Sequence, residues 1–201
     1  MKTDKITISS SGAGMNAALE QADKVAAYKG LPLRDALHLR LLTEEMMGLM
    51  RSITGERQGT FWIEDQDNEY QLHLQVRTLL TCEEREQLLA VSTSGKNESA
   101  KGIMGRIREF FDWGSDEDIA SCSSPLLLPD AFECTSSPSL DWEWSMMRYE
   151  SALSTRDINA DPVVKDAWDE LEKSVITHVA DDVKVAIRGG TVEMIILKKM
   201  A

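Results

Sequence analysis

The feature that most constrains the fold is the position of two β-hairpin patterns, one at residues 60–80 and one at residues 183–197, with helical patterns between them. In the first pattern, residues 70–80 alternate between apolar and polar side chains, which is typical of a strand with one buried face. In the second, two glycines separate the alternating segments, and glycine tolerates the positive φ of a tight turn. Because hairpins pair antiparallel strands, the sequence favours an antiparallel sheet.

The first hairpin is predicted from a strand at residues 60–64 and a longer strand at residues 70–80. Alternation in the longer strand assigns its side chains to two faces. One face carries Tyr70, Leu72, Leu74 and Val76, and the other carries Gln71, His73, Gln75 and Arg77. The side chains of Asp and Asn bond to the nearby backbone in turns, so the turn is predicted at residues 65–68.

The second hairpin is predicted near the C-terminal end of the sequence. Its alternating apolar residues are Val183, Val185 and Ile187 in one strand and Val192, Met194 and Ile196, with Leu197, in the other. Residues 188–191 read Arg-Gly-Gly-Thr, a composition that predicts the turn between the two strands.

The N-terminal part is predicted to hold a short strand and two helices. Residues 5–10 alternate and are rich in β-branched side chains, which favours a strand. Residues 15–29 carry alanine and valine at helical spacing, and Gly30 is expected to cap that helix. Pro32 fits the start of a second helix at residues 33–53. Its apolar positions recur every three or four residues: Leu37, Leu41, Leu42, Met46, Leu49, Met50 and Ile53.

The centre of the chain is predicted to be helical apart from one long loop. Helices are expected at residues 82–91, near residues 103–113, at residues 142–153 and after Pro162. The last of these has apolar positions at Val164, Ala167, Trp168, Leu171 and Val175. Residues 115–140 are rich in Ser and Pro, which is typical of a loop or an insertion.

The order of the elements predicts the fold class. Strands cluster at both ends with helices between them, which indicates an α+β protein: a two-layer α/β sandwich with a mixed, mainly antiparallel sheet and helices on one face. A doubly wound parallel sheet is excluded because regular strand–helix alternation is missing. With 201 residues, one domain over residues 1–201 with an insertion at 115–140 is expected.

The net charge of −12 limits the possible partners. Nucleic acids and anionic membranes are bound through clustered Lys and Arg, so neither is expected as a partner. A basic protein partner is compatible with the charge, which also serves plain solubility. A protein partner or a homodimer is expected.

Cysteine and histidine spacing predicts neither a disulfide framework nor a metal site. The three cysteines are Cys82, Cys122 and Cys134, and the three histidines are His38, His73 and His178. None of these residues falls at metal-ligand spacing, and an odd number of cysteines fits reduced thiols. With no signal-peptide pattern and no apolar run long enough to span a membrane, a cytoplasmic location is expected.

The segment Leu42-Thr43-Glu44-Glu45-Met46-Met47-Gly48-Leu49-Met50-Arg51, together with the order of the elements, resembles the histidine-kinase-like ATPase superfamily (GHKL proteins with the Bergerat fold), especially its anti-sigma factor kinase branch. The resemblance extends from about residue 5 to residue 199, apart from the insertion. It implies a Bergerat fold. Mg-ATP is the one cofactor compatible with the resemblance, and the sequence itself assigns none.

In that family the second helix carries a Glu that orients the attacking hydroxyl or water, and four residues later an Asn that holds the magnesium ion. Positions four apart lie on one face of a helix, so both side chains enter the same pocket. Here Glu45 fits the Glu position and is the candidate catalytic residue, but Leu49 stands four residues later. If Glu44 is used instead, its partner is Gly48. Neither partner offers an oxygen ligand for Mg²⁺.

The family's adenine-binding motif, Asp-x-Gly-x-Gly, corresponds to residues 76–81, which hold neither Asp nor Gly. Thr78 is the one residue there that is assigned to nucleotide binding, as a hydrogen-bond acceptor.

The family's glycine-rich phosphate lid corresponds to residues 94–105. The candidate nucleotide-binding residues in this segment are Gly95, Lys96, Lys101, Gly102 and Gly105. Glycines let backbone N–H groups approach a phosphate at a helix N-terminus, and the lysines add positive charge. The order of a P-loop is absent. The alternative is a polar loop with two solvated lysines and a closely packed glycine face.

An aromatic and methionine cluster follows the insertion, formed by Trp142, Trp144, Met146, Met147 and Tyr149. Such side chains are enriched at protein interfaces, so a partner or a dimer contact is one interpretation. Packing of Trp142 and Met146 on the sheet, as one face of a helix, is the other.

Two function classes are compatible with the sequence. The first is a degenerate binding module of the ATPase fold that regulates a protein partner, as anti-sigma factors do, with weak or absent ATP turnover. The second is an active serine kinase or ATPase with a divergent pocket. The missing Asn and Asp favour the first class, because phosphoryl transfer depends on positioning the metal and the phosphates.

Overall fold

The structure, a computed structural model, describes residues 1–52, 57–77, 142–154, 174–188 and 191–200, together with Lys165, Trp168 and Asp169. The strands are β1 (Ile6–Ser9), β2 (Gln58–Gln66), β3 (Glu69–Arg77), β4 (Trp142–Ser145), β5 (Asp182–Arg188) and β6 (Thr191–Lys199). The helices are α1 (Met15–Lys29), α2 (Leu33–Ser52), α3 (Met146–Ser154) and α4 (Val175–Val179). The predicted α+β class is confirmed, as are the N-terminal strand, the first two helices and both hairpins.

The strands form one sheet in the order β1-β2-β3-β6-β5-β4. β1 pairs antiparallel with β2, and Ile6 lies opposite Phe61. β3 and β6 also run in opposite directions. The carbonyl of Asn68, just before β3, accepts a 3.0 Å hydrogen bond from the N–H of Met200, just after β6. Further along β3, His73 lies beside Glu193, near the start of β6. The predicted antiparallel pairing is therefore confirmed.

The first hairpin has a shorter turn than the sequence predicts. Asp65 and Gln66 pair with β3, so they are strand residues and not part of a four-residue turn. Asp67 and Asn68 alone make the turn, with φ values of 51° and 63°. Positive φ at both central residues is the requirement of a type I′ turn. Such a turn matches the twist of the strands, so the strand pairing extends to the turn itself.

The chain divides into two compact units that share β5 and β6. The first contains residues 1–76, 175–183 and 193–201, and the second contains residues 77–174 and 184–192. The expectation of a single domain over residues 1–201 stays a prediction.

In the first unit, the core lies between the sheet and the helical pair of α1 and α2. α1 contacts α2, β1 and β2. The fully buried side chains of this core include Ile8, Ala18, Leu39, Leu42, Met46, Met50, Phe61, Ile63, Leu72 and Leu74. In the strands these residues occupy alternate positions, and in the helices they recur every three or four residues. Each element therefore packs one apolar face against this core, as the periodicities predict.

Glycines set both ends of α1. Gly30 has φ of 64° and caps the C-terminus, as predicted, and the next N–H, of Leu31, bonds to the carbonyl of Ala26 at 3.0 Å. Gly14 precedes the helix with φ of 78°, and a Cβ atom there would lie 2.2 Å from the carbonyl oxygen of Thr7. The start of α1 therefore approaches the backbone of β1 so closely that only glycine fits.

In the second unit, residues 142–145 form a strand and not the start of the predicted helix. β4 pairs antiparallel with β5, and Trp142 lies opposite Ile187. α3 then begins at Met146 and buries Met146, Tyr149 and Leu153, which recur at three and four residues. The predicted helical face shared by Trp142 and Met146 is therefore wrong, because pairing with β5 holds Trp142 in extended backbone.

The helix predicted after Pro162 is described in part. Lys165, Trp168 and Asp169 are helical, but Ser174 is not, and α4 begins at Val175. Val175 is 44% exposed, so its predicted place on the buried face of that helix is wrong. The predicted helices at 82–91 and 103–113, the insertion at 115–140 and the turn glycines at 189 and 190 lie outside the described residues.

Within the part of the chain that the structure describes, no helix is both long and apolar enough to cross a membrane.

Candidate functional site

α2 positions Glu45, the predicted catalytic residue. Its side chain is half-buried, whereas that of Glu44 is exposed. Four residues after Glu45, Leu49 is 3% exposed and belongs to the core, and Gly48 lies on the exposed side of the helix. The helix therefore presents a carboxylate at Glu45 with an apolar side chain at the position where the family has its metal ligand.

The other predicted site residues cannot be placed. Thr78, Gly95, Lys96, Lys101, Gly102 and Gly105 lie outside the described residues. Among the described residues, no group of three or more His, Cys, Asp or Glu side chains is arranged to hold a metal ion.

The corner between α1 and α2 exposes three large apolar side chains. Tyr28, Leu33 and Leu37 are 79%, 77% and 55% exposed. Leu33 and Leu37 are four residues apart, so they share one face of α2, and Tyr28 lies five residues before Leu33, in the last turn of α1. We call these three residues the corner patch.

The sequence did not reveal the corner patch. Leu37 was assigned to the apolar positions of α2, but its side chain points outwards. The buried apolar positions of the helix begin at Leu39 and continue through Leu42 and Met46. Leu37 lies 100° or more away from that face, because successive helical residues rotate by about 100°. Exposed apolar groups at this spacing are indistinguishable in sequence from the first turn of a buried face.

Exposed ion pairs lie along the two helices that form this corner. The guanidinium of Arg40 on α2 donates to the carboxylate of Asp23 on α1. Along α1, the ammonium of Lys24 lies 2.8 Å from the carboxylate of Glu20, one turn earlier. This contact lowers the pKa of Glu20, because the lysine donates a hydrogen bond and adds a positive charge. One ion pair therefore links α2 to α1, and the other lies within α1.

On the sheet face opposite the core, Trp62 of β2 stacks on His73 of β3. The two rings are nearly parallel, at 8°, with centroids 4.6 Å apart. The two residues are 4% and 7% exposed. The ammonium groups of Lys5 and Lys2 lie 4.3 and 5.5 Å from the centre of the indole ring, within the range of a cation–π contact.

Two glutamates border the Trp62–His73 stack. Glu64 Oε1 accepts a 2.7 Å hydrogen bond from Trp62 Nε1 and lies 2.9 Å from the ammonium of Lys2. On the other side, Glu193 Oε1 lies 3.4 Å from His73 Nδ1. The pKa of Glu64 is held below its usual 4.5, first by the hydrogen bond from Lys2 and then by that from Trp62. The Trp62–His73 stack is therefore enclosed by opposite charges.

At the turn end of the hairpin, a buried carboxylate meets the end of α1. Asp65, with a side chain 4% exposed, forms an ion pair with the ammonium of Lys29. The hydrogen bond to Asp65 raises the pKa of Lys29. Beside it, burial raises the pKa of the Tyr70 phenol above its usual 10.0, and the charge of Asp65 adds to the rise. These contacts join α1 to the hairpin.

Comparison with known proteins found no matching family model, no matching curated protein and no matching solved structure. The function is therefore inferred from the residues of this chain.

Proposed function

We propose that this chain is a regulatory binding module with the histidine-kinase-like ATPase fold, which acts on a protein partner as anti-sigma factors do and turns over little or no ATP. The observation that carries the proposal is the corner patch, where Tyr28, Leu33 and Leu37 are 79%, 77% and 55% exposed. Large apolar groups exposed at one helix–helix connection favour an interaction site there, because water exposure costs free energy that a partner can remove.

The charge of the chain indicates the chemistry of the partner. With a net charge of −12, the chain attracts a protein of net positive charge and repels an acidic one. We therefore propose a basic protein that places apolar side chains on the corner patch. Charge attraction speeds the encounter, and apolar burial supplies the affinity.

Leu49 supports the low turnover. Its side chain is 3% exposed in the core, four residues after Glu45, where the family places the asparagine that binds magnesium. The side chain of a leucine has no oxygen to offer a hard cation. The alternative, an active kinase or ATPase, requires another residue to hold the metal.

Thermal unfolding with millimolar Mg-ATP separates these two functions. Tight binding at about 100 times Kd adds about 2.7 kcal/mol, which raises Tm by about 5 °C or more in a chain of this size. We expect no such rise for the folded protein. A rise that is lost in Glu45→Gln would favour the active enzyme and contradict the binding module.

A substitution of the corner patch tests the partner. We expect the Leu33→Ser/Leu37→Ser variant to keep the stability of the parent within about 0.5 kcal/mol, because both side chains are exposed. It should fail to retain a basic protein that the parent retains from the native extract. Val175→Ser, which changes an exposed apolar residue of α4, is the matched control and should retain it.

Retention of the same protein by the double variant would contradict the corner patch as the binding surface. Two copies with a charge of −12 repel each other. If the chain nevertheless associates with itself through the corner patch, charge attraction does not select the partner, and the proposal of a basic partner is contradicted.

A further inference from the structure

We infer that the loop between β1 and α1, residues 9–14, forms with Arg51 and Arg57 a binding site for a phosphoryl group, either free phosphate or the phosphate of a small monoester. We call this set of residues the serine–arginine site. It lies wholly in the first unit, and neither the ATPase resemblance nor the proposed partner involves it.

The first support is the N-terminus of α1. α1 has 15 residues, no acidic residue in its first turn and no side chain that caps its N-terminus. Within the described part of the chain, the N–H groups of Met15, Asn16 and Ala17 have no hydrogen-bond partner. Free N–H groups and the positive end of the helix dipole favour an anion at this end.

The second support is Arg57, a buried residue whose side-chain Nε lacks a hydrogen-bond acceptor in the described part of the chain. The residue is 9% exposed, and among the described residues its Nε finds no hydrogen-bond acceptor. A buried guanidinium that lacks an acceptor is costly, so an anion that pairs with it is favoured.

The register of β1 and β2 directs Arg57 towards the start of α1. The N–H of Ser10 donates to the carbonyl of Arg57 at 3.0 Å, and the N–H of Arg57 donates to Ser10 Oγ at 3.0 Å. These bonds continue the pairing in which Ile8 lies opposite Gly59. Side chains two residues apart share a face of a strand, so Arg57 lies on the face of Gly59 and Phe61, which α1 covers.

A second arginine reaches the same helix end. Arg51, in the last turn of α2, places its Nη2 3.3 Å from the Sδ atom of Met15, the first residue of α1. Within the described residues, neither Arg51 nor Arg57 forms an ion pair with a carboxylate. Arg51 therefore brings one positive charge to the first residue of α1, and the backbone of Arg57 is bonded to Ser10 in the loop before that helix, in a chain whose net charge is −12.

The glycines of the loop bring these donors together. Gly14 has φ of 78° and lies so close to Thr7 that a Cβ atom would collide with the backbone. The loop is closed by its own contacts, since Ser9 Oγ lies 2.7 Å from Ser11 Oγ and accepts a 3.2 Å bond from the N–H of Ala13. The helix end is thus held in place before any ligand binds.

The donor set fits a phosphoryl group better than a carboxylate. The set consists of two guanidinium groups and three N–H groups, and a phosphoryl group has more oxygens and more negative charge than a carboxylate to satisfy them.

The test is a titration of the full chain with inorganic phosphate at constant ionic strength, with chloride as the balancing anion. Isothermal calorimetry gives Kd, and amide NMR shifts locate the site. We expect saturation below about 10 mM, with the largest shifts at Met15, Asn16 and Ala17.

Two variants test the site without depending on the buried arginine. Arg51→Gln removes an exposed charge, and Asn16→Asp adds a carboxylate to the first turn of α1, which stabilises a free helix but repels an anion. Each should weaken phosphate binding about tenfold or more. Gln66→Glu is the matched control, because it adds the same charge at the far end of β2, about 26 Å along the strand, and should leave Kd unchanged.

Glycerol 3-phosphate distinguishes the two sources of the phosphoryl group. Tighter binding than inorganic phosphate identifies a monoester, and equal or weaker binding identifies free phosphate. No saturable binding of either compound would overturn the inference, and so would binding that survives both Arg51→Gln and Asn16→Asp. Because this titration contains neither Mg-ATP nor a partner protein, its failure leaves the proposed function untouched.

Discussion

The two faces of the β2–β3 hairpin are both buried, but by different chemistry. On the face towards the helices, Phe61, Ile63 and Leu72 are fully buried among apolar side chains. On the opposite face, Trp62 and His73 are 4% and 7% exposed, yet their neighbours are two lysines and two glutamates. Burial alone therefore does not separate a core from a polar cluster.

The two faces differ in what holds them together. On the apolar face, stability follows the area removed from water and the fit of the side chains. On the opposite face, it depends on pairs with specific geometry, such as the hydrogen bond from Trp62 to Glu64 and the ring stack with His73. The first face should respond to changes of volume, and the second to the loss of a particular partner or of a charge.

Loss of volume on the apolar face is expected to have the largest effect. Leu72→Ala should lower the free energy of unfolding by about 2–5 kcal/mol, because it removes buried apolar area and leaves a cavity. Gln71→Ala, at the neighbouring residue that faces the other way, is the matched control and should cost about 0.5 kcal/mol or less. Urea unfolding followed by circular dichroism measures both. Equal losses would contradict the distinction between the two faces.

Loss of a specific pair on the opposite face is the next largest effect. A double-mutant cycle with Trp62→Leu and His73→Leu should give a coupling energy of about 0.5–1.5 kcal/mol, because stacked aromatic rings attract beyond their buried area. Thr60 and Gln75, the next pair on the same face of the two strands, are the control. Their coupling, from the same unfolding measurements, should stay below about 0.5 kcal/mol. A Trp62–His73 coupling as small as this would mean that the stack adds nothing specific.

The sequence predicted the apolar face but not the chemistry of the opposite one. Alternation is local, so it assigned Leu72 and His73 to different faces without any knowledge of the fold. The cluster around Trp62 depends instead on the pairing of distant segments, because Lys2 and Lys5 come from about 60 residues earlier in the chain. No local pattern encodes such contacts.

The same limit explains the errors elsewhere. Trp142 lies four residues before Met146, which matches a helix, but pairing with β5, some 40 residues later, makes it a strand residue. Of the predicted site residues, Glu45 alone falls within the described part of the chain, and its position on α2 followed from helical periodicity. The serine–arginine site was missed because Arg57 meets Ser10, and Arg51 meets Met15, only through tertiary contacts.

The pH dependence of stability should also differ between the two faces. On the apolar face, burial raises the pKa of Tyr70 above 10.0, so the unfolded chain loses this proton first as the pH rises. Stability from this residue is therefore complete below about pH 10 and falls as the pH rises through the pKa of the folded state. Tyr70→Phe should flatten the alkaline loss in urea unfolding. Tyr28→Phe, at a tyrosine that is 79% exposed, should leave the loss unchanged.

On the opposite face, Glu64 should give the smallest effect, at acid pH. Lys2 and Trp62 hold its pKa below 4.5, so the unfolded chain takes up the proton first as the pH falls. The contribution is present above about pH 4.5 and disappears as the pH drops through the pKa of the folded state. Glu64→Gln should therefore reduce the acid slope of the unfolding free energy, whereas Glu44→Gln, at an exposed position of α2, should not. Because Glu64 is partly exposed, water weakens its contacts and the change should be modest. An unchanged acid slope in Glu64→Gln would show that the hydrogen bonds from Lys2 and Trp62 are equally available to the protonated side chain, and the contrast between the two faces would then rest on volume and ring stacking alone.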